Sequence, residues 1–115
     1  MSRDWTFFIE DIQESCSRVI RYTQGMTFEQ FKEDDKTYDA VMRNLEIIGE
    51  AAKQLPDDVR AMMPDIEWGK ATGLRNIVAH AYFGISDEIV WDVVQNKIRP
   101  MQETVDRFME QRRKP

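Results

Sequence analysis

Apolar residues recur at intervals of three and four over most of this chain, the spacing that one face of an α-helix requires. No segment shows the alternating pattern of a strand bounded by turns. The four periodic segments are residues 4–22, 35–56, 66–80 and 87–108. We therefore predict an all-α fold, a four-helix up-and-down bundle with one or two short extra helices.

Local signals predict where these helices begin and end. Thr27 and Gln30 have the spacing of a capping box, which predicts a short helix before the second main one. Residues 57–63 are expected to form one or two further turns. Asp65 is the predicted cap of the third main helix, which would extend from about Ile66 to His80.

The fourth main helix is predicted to begin after a turn at residues 83–85, with Ser86 as its cap. Because proline has no N–H and its ring clashes with the preceding turn, Pro100 should kink this helix or end its first half. Its predicted core face consists of Ile89, Val90, Val93, Val94, Ile98, Met101, Val105 and Phe108.

Composition excludes several classes of protein. The 115 residues are expected to form a single domain, residues 1–115. The net charge of -5 argues against broad attraction to nucleic acid, so any RNA contact must be local. No apolar run approaches the ~20 residues that cross a bilayer. The single cysteine, Cys16, permits neither an internal disulfide nor a zinc site of the cysteine–histidine type. From the short apolar runs we expect no membrane contact, and from the lone cysteine we expect a cytoplasmic protein.

The stretch RNIVAHAY, residues 75–82, contains the only histidine. On a helix Asn76 and His80 stand at i and i+4 and share a face, and Arg75 is long enough to swing toward the imidazole. A guanidinium is a charged fork suited to phosphate, and an imidazole titrates near neutrality. Together these groups could hold a phosphodiester and move its proton.

A structural interpretation competes with this one, since a lone histidine is also favoured at a helix C-terminus by the helix dipole. RNA cleavage through the 2′-hydroxyl ordinarily needs one group to take a proton and another to give one, and the chain has no second histidine. A symmetric dimer with its two-fold axis beside the third helix would supply one. Trp68, Ile77 and Val78 are candidate contacts for that dimer, although core packing explains them equally well.

The arrangement Arg75-Asn76-x-x-x-His80-x-Tyr82 resembles the R-x4-H-x-Y signature of HepT-like toxins in the HEPN superfamily. Residues 40–52, AVMRNLEIIGEAA, resemble the second-helix pattern of the same family. The likeness covers roughly residues 4–110, tryptophans before and after the signature included. Glu67 and Ala81 depart from the family pattern, which often has proline and a polar residue at these positions.

The resemblance implies a metal-independent endoribonuclease that needs no cofactor and forms a homodimer, with Arg75 and His80 lining a cleft at the dimer interface. It also implies a toxin whose partner, an MntA-like nucleotidyltransferase antitoxin, attaches AMP to the tyrosine of the signature, here Tyr82. Each adenylyl group would place bulk and a negative phosphate two residues from His80, which would block the cleft and repel an RNA backbone.

On this basis Arg75 is expected to bind the phosphate, His80 to transfer a proton, and Asn76 to orient the histidine or hold a phosphate oxygen. Arg43 could line the same cleft, or form surface ion pairs with Glu46 and Glu50. The alternative is a non-catalytic dimeric helical module that binds the nucleotidyltransferase and nucleotide. The net charge of -5 fits this alternative better than it fits an RNA-binding enzyme.

Overall fold

The computed structural model describes residues 4–81 and 87–113, and every regular element in these two ranges is an α-helix, which confirms the predicted all-α class. The helices are α1 (Trp5–Thr23), α2 (Phe28–Glu33), α3 (Asp35–Gln54), α4 (Asp57–Ala61), α5 (Trp68–Thr72), α6 (Leu74–Ala81), α7 (Asp87–Asn96) and α8 (Ile98–Arg113). Within these ranges no helix combines the length and the apolar character needed to cross a bilayer.

Side-chain caps set the first helix boundaries, and the predicted capping box is one of them. The Asp4 carboxylate accepts a hydrogen bond from a backbone N–H in the first turn of α1. Thr27 and Gln30 form both hydrogen bonds of a capping box at the start of α2. Asp34 ends α2 and caps α3, because its carboxylate accepts from the backbone N–H of Thr37 at 3.0 Å. The predicted turns over residues 57–63 appear as α4.

The prediction of one third helix from Ile66, capped by Asp65, is wrong. The N-cap of α5 is Glu67, because the chain before it is held in turns and the indole N–H of Trp68 donates to backbone carbonyls there. A break at Gly73 then separates α5 from α6. At this break the N–H of Asn76 bonds to the Gly73 carbonyl three residues back, as in a tightened turn, and glycine is a poor helix former.

Pro100 interrupts the fourth predicted helix, as expected. Because Pro100 cannot donate to the carbonyl of Asn96 and its ring clashes there, α7 ends at Asn96 and α8 begins at Ile98. The predicted core face is buried with one exception: Ile89 is 51% exposed, since α7 packs along a stripe of three valines and Ile89 stands outside it. The predicted turn at residues 83–85 and the Ser86 cap lie outside the described residues.

Helix α3 occupies the centre of the fold. It packs against α1 on one side and against α5 and α6 on another, and α7 and α8 complete the bundle against α6 and α1. The fully buried side chains between α1 and α3 are those of Ile9, Ile12, Cys16, Val19, Val41, Met42, Leu45 and Ile48. Because α6 lies on α3, the second-helix stretch and the histidine helix meet in space.

Candidate active site

Helix α6 presents a polar stripe to solvent. It buries Leu74, Val78 and Ala81 against the rest of the fold, while the intervening polar side chains remain exposed. The exposed residues of α6 are Arg75, Asn76, Ala79 and His80. Asn76 and His80, which were predicted to share a helix face, both lie in α6 four residues apart. Both are exposed, as is Arg75, and this exposure was not predicted from the sequence.

Arg75 reaches back from α6 to α3. Its Nη1 atom lies 2.5 Å from Oε1 of Glu50, and the two side chains are 49% and 44% exposed. Beside this ion pair α3 carries Gly49, which is buried. A Cβ atom at Gly49 would lie 3.1 Å from Cγ and 3.3 Å from the backbone N of Arg75, so the absence of a side chain lets the helices approach closely.

The roles of Gly49 and Glu50 could not be predicted from the sequence, although both residues belong to the second-helix stretch. The spacing of Glu50 from Arg43 instead suggested a surface ion pair between those two. In the fold Glu50 instead forms an ion pair with Arg75, which lies 25 residues further along the chain. The two parts of the sequence that carry the family resemblance are thus in direct contact.

His80 lies in the last turn of α6 and is exposed. Within residues 4–81 and 87–113, neither His80 nor Asn76 has a side-chain hydrogen bond or ion pair with another described residue. Both side chains therefore face solvent, where a ligand can reach them. Tyr82, the predicted modification site, lies outside the described residues.

Arg43 was expected either to line the cleft or to form surface ion pairs, and it forms an ion pair with Glu46. Its Nη1 atom is 4.0 Å from Oε2 of Glu46, and its side chain is 70% exposed. Arg43 also lines a shallow groove of about 340 Å³ beside α1 and α3, to which Glu50 contributes. A role for Arg43 in holding RNA stays a prediction.

The three apolar candidates for a dimer contact, Trp68, Ile77 and Val78, have different surroundings in the structure. The indole N–H of Trp68 donates to the carbonyls of Arg60 and Met63 at 3.0 and 3.1 Å, so Trp68 anchors the chain before α5. Val78 is 5% exposed and belongs to the core. Trp68 and Ile77 are both partly buried against the core. Ile77 lines a groove of about 550 Å³ together with the exposed Ile89.

The stripe on α6 therefore combines a fixed guanidinium with an accessible imidazole and an amide. Guanidinium and amide groups donate hydrogen bonds to anions, and imidazole is the side chain that proteins use most often for proton transfer. A search of the described ranges finds no group of three or more histidine, cysteine, aspartate or glutamate side chains that could hold a metal ion.

Comparison with known proteins places this chain in a family. The family described as Ribonuclease HepT-like matches residues 12–108. The chain belongs to the HepT-like family. No solved structure matches it significantly.

Several curated proteins are similar to this HepT-like chain over nearly their whole length. A Methanocaldococcus jannaschii protein named as a candidate RNase is 45% identical over 84% of this chain and 79% of its own. A Thermococcus cleftensis protein named as a candidate ribonuclease HepT is 39% identical over 85% of this chain and 89% of its own. A third relative, a candidate RNase of Caldanaerobacter subterraneus, is 32% identical over 90% and 92%.

Proposed function

We propose that this protein is a metal-independent endoribonuclease and the toxin of a toxin–antitoxin pair. The observation that carries the proposal is the exposed stripe of α6, on which Arg75, Asn76 and His80 stand together in a chain of the HepT-like family. The ribonuclease names of the relatives support the same reaction class. RNA is the substrate, and cleavage proceeds by attack of a 2′-hydroxyl on the adjacent phosphorus.

In this mechanism Arg75 holds the scissile phosphate. A guanidinium carries five N–H donors, so the contact with Glu50 leaves donors free for phosphate oxygens. As the 2′-oxygen bonds to phosphorus, negative charge builds on the phosphoryl oxygens, and Arg75 stabilises that charge. Asn76 donates a hydrogen bond to a phosphate oxygen or orients the imidazole.

His80 transfers protons. A neutral imidazole takes the proton of the 2′-hydroxyl as the new P–O bond forms, and an imidazolium gives one to the 5′-oxygen as the old P–O bond breaks. The products are a 2′,3′-cyclic phosphate and a free 5′-hydroxyl. One chain offers one imidazole, and the step uses two groups of opposite protonation state.

A homodimer provides the second imidazole. A two-fold axis beside α6 brings Arg75 and His80 of both protomers into one cleft. The small, exposed side chain of Ala79 in the middle of the stripe allows two such helices to approach each other. The partly buried Ile77 adds apolar area at the same helix.

The proposal includes control by a nucleotidyltransferase antitoxin of the MntA type, which adenylylates Tyr82. The tyrosine follows His80 by two residues, so an attached AMP adds bulk and negative charge close to the imidazole. The modified protein would then bind RNA poorly, because its phosphates repel the RNA backbone.

The test is cleavage of purified RNA by the isolated protein and its variants, with detection of cyclic phosphate ends. His80→Ala and Arg75→Ala should each abolish cleavage and growth arrest while the protein stays folded. Lys70→Ala is the control, because it removes an exposed cation, 75% accessible, that pairs with Glu67 on α5. Undiminished cleavage by His80→Ala would refute the assignment.

A second function is favoured by the net charge of -5, which opposes general RNA binding. In this alternative the protein is a non-catalytic dimeric module that binds the nucleotidyltransferase and nucleotide. Co-expression with the partner, followed by mass measurement and an RNA assay, separates the two. A module shows no RNA turnover alone, whereas the enzyme cleaves until adenylyl mass appears on Tyr82.

A further inference from the structure

We propose that Glu50 is a positioning residue for Arg75: its carboxylate fixes the guanidinium in the orientation that receives the scissile phosphate. The inference rests on the proposed ribonuclease function and extends it to a residue on a different helix. Glu50 would act through Arg75 and would neither touch RNA nor exchange a proton with it.

The first step of the argument is the contact itself. Nη1 of Arg75 lies 2.5 Å from Oε1 of Glu50, so the guanidinium and the carboxylate form a close ion pair. An arginine side chain has several rotatable bonds, and on an exposed helix face it samples many rotamers. Binding one edge of the guanidinium to a carboxylate removes most of that freedom before the substrate arrives.

The second step is the rigidity of the carboxylate's own support. Glu50 stands on α3, the central helix, between Gly49 and Ala51, both buried. A Cβ atom at the neighbouring Gly49 would lie 3.1 Å from Cγ and 3.3 Å from the backbone N of Arg75, so the base of the arginine side chain packs closely on α3. Arg75 is therefore held at two points, its Cγ by packing and its Nη1 by charge.

The third step concerns charge. A carboxylate beside a phosphate site opposes the binding of RNA, so Glu50 gains the protein no affinity for the substrate. Its benefit must therefore appear in the orientation of Arg75 during the chemical step. Removing Glu50 should slow turnover while RNA binding is unchanged or tighter. Loss of an ordinary RNA-binding residue would instead raise KM.

The fourth step separates positioning from folding. Both side chains are nearly half exposed, and ion pairs of this kind contribute little to stability. A Glu50 variant should therefore unfold at nearly the same temperature as the wild type and keep its oligomeric state. A loss of activity in a protein that stays equally stable points to the site.

The experiment compares Glu50→Ala and Glu50→Gln with the matched control Glu14→Ala. Glu14 pairs with an arginine, Arg18, at 3.1 Å on the exposed face of α1, so the control removes the same charge from the same kind of pair. Glu50→Ala should lower kcat by about 10- to 100-fold, the size expected when a reacting group is misplaced by about 1 Å, with KM equal or lower. Glu14→Ala should cleave like the wild type.

Glu50→Gln tests whether the carboxylate takes part in proton transfer. The amide oxygen still accepts a hydrogen bond from Arg75, so this variant should keep more activity than Glu50→Ala and the wild-type pH profile. Equal loss in both variants, with one limb of the pH profile gone, would overturn the proposal in favour of a catalytic carboxylate. A raised KM with unchanged kcat would overturn it as well.

A second measurement works even if the protein cleaves no RNA, so failure of the proposed function and failure of this inference remain distinguishable. NMR relaxation of the Arg75 Nε–Hε group reports the mobility of the guanidinium on the picosecond to nanosecond scale. Order should fall in Glu50→Ala and stay unchanged in Glu14→Ala. If Arg75 is equally ordered without Glu50, the inference is wrong whatever the RNA assay shows.

Discussion

Gly49 on α3 lies directly against Arg75 on α6: a methyl group at Gly49 would come within 3.1 Å of Arg75 Cγ and 3.3 Å of its backbone N. Contacts of this length between carbon atoms are repulsive, so the distance between the two helices depends on the missing side chain. The position of the backbone and Cγ of Arg75 therefore depends on a glycine in another helix.

Replacing Gly49 should disturb both stability and the site. Gly49→Ala gains helix propensity, but the contact with the backbone of Arg75 outweighs it, and we expect a net loss of about 1 kcal/mol; Gly49→Val should lose about 2–3 kcal/mol. Urea denaturation measures these values, and both variants should cleave RNA more slowly because Arg75 moves.

Gly69→Ala is the matched control for Gly49. It lies in α5, and a Cβ atom there would meet nothing within 4 Å. The same substitution should therefore raise stability by up to about 1 kcal/mol through helix propensity alone, without affecting cleavage. Destabilisation of both variants to the same extent would show that the close approach at Gly49 is not the cause.

Trp68→Phe should destabilise the segment that precedes α5. The indole N–H donates to the carbonyls of Arg60 and Met63, and phenylalanine leaves both carbonyls without that donor. We expect a loss of about 1–2 kcal/mol in thermal or urea unfolding. Trp91→Phe is the control, because the Trp91 ring packs on Phe28 and Phe31. This variant should lose less stability than Trp68→Phe, and an equal loss would show that the hydrogen bonds of Trp68 are not the cause.

The cap of α3 predicts a dependence of stability on pH. Hydrogen bonds from the backbone N–H and the hydroxyl of Thr37 lower the pKa of Asp34 below 3.8. A carboxyl whose pKa is lower in the folded state stabilises the protein above its unfolded pKa and loses this effect as pH falls through the folded one. Asp34→Asn should therefore unfold at a lower temperature than the wild type at neutral pH, with the gap closing below about pH 4.

Asp39→Asn serves as the control for that measurement. Asp39 is exposed on α3 beyond its first turn, so the same loss of charge occurs away from the cap. Its unfolding temperature should differ little from that of the wild type at neutral pH. A gap for Asp34→Asn that widens in acid would contradict the role of the cap.

Cys16 should be nearly inert toward thiol reagents in the folded protein. Burial, with a smaller effect from the nearby Asp106, raises the pKa of this thiol to about 12, from an ordinary 9.0. Only the thiolate reacts, so labelling at pH 8 should be limited by unfolding and become fast in denaturant. Rapid labelling of the native protein would contradict the packing of α1 against α3.

The all-α class and the helix boundaries at Asp4, Thr27 and Asp34 were predictable because they depend on neighbours within a few residues. Caps and apolar periodicity act through hydrogen bonds and side-chain directions inside one helix. Pro100 acts locally in the same way. The prediction failed for the helix proposed from Ile66, because Trp68 bonds to carbonyls in a preceding turn, and that competition is not visible in periodicity.

The placement of Asn76 and His80 on one face of a helix also followed from local spacing, whereas their exposure did not. The exposure of Ile89 could not be predicted, because the spacing of Ile89 fits the apolar stripe of α7. Whether Ile89 is buried depends on which helices pack on α7. Trp68 and Val78 had the pattern of either a core or a surface contact, and only the packing of α5 and α6 on α3 distinguished the two.

The sequence alone thus determined the all-α class, most of the helices and the stripe of polar side chains on α6, since a regular helix fixes the direction of each side chain along its own length. Only the tertiary structure determined that Arg75 is held by Glu50 and Gly49. These residues are 25 and 26 positions apart, and what joins them is the packing of α6 on α3, which no local rule specifies.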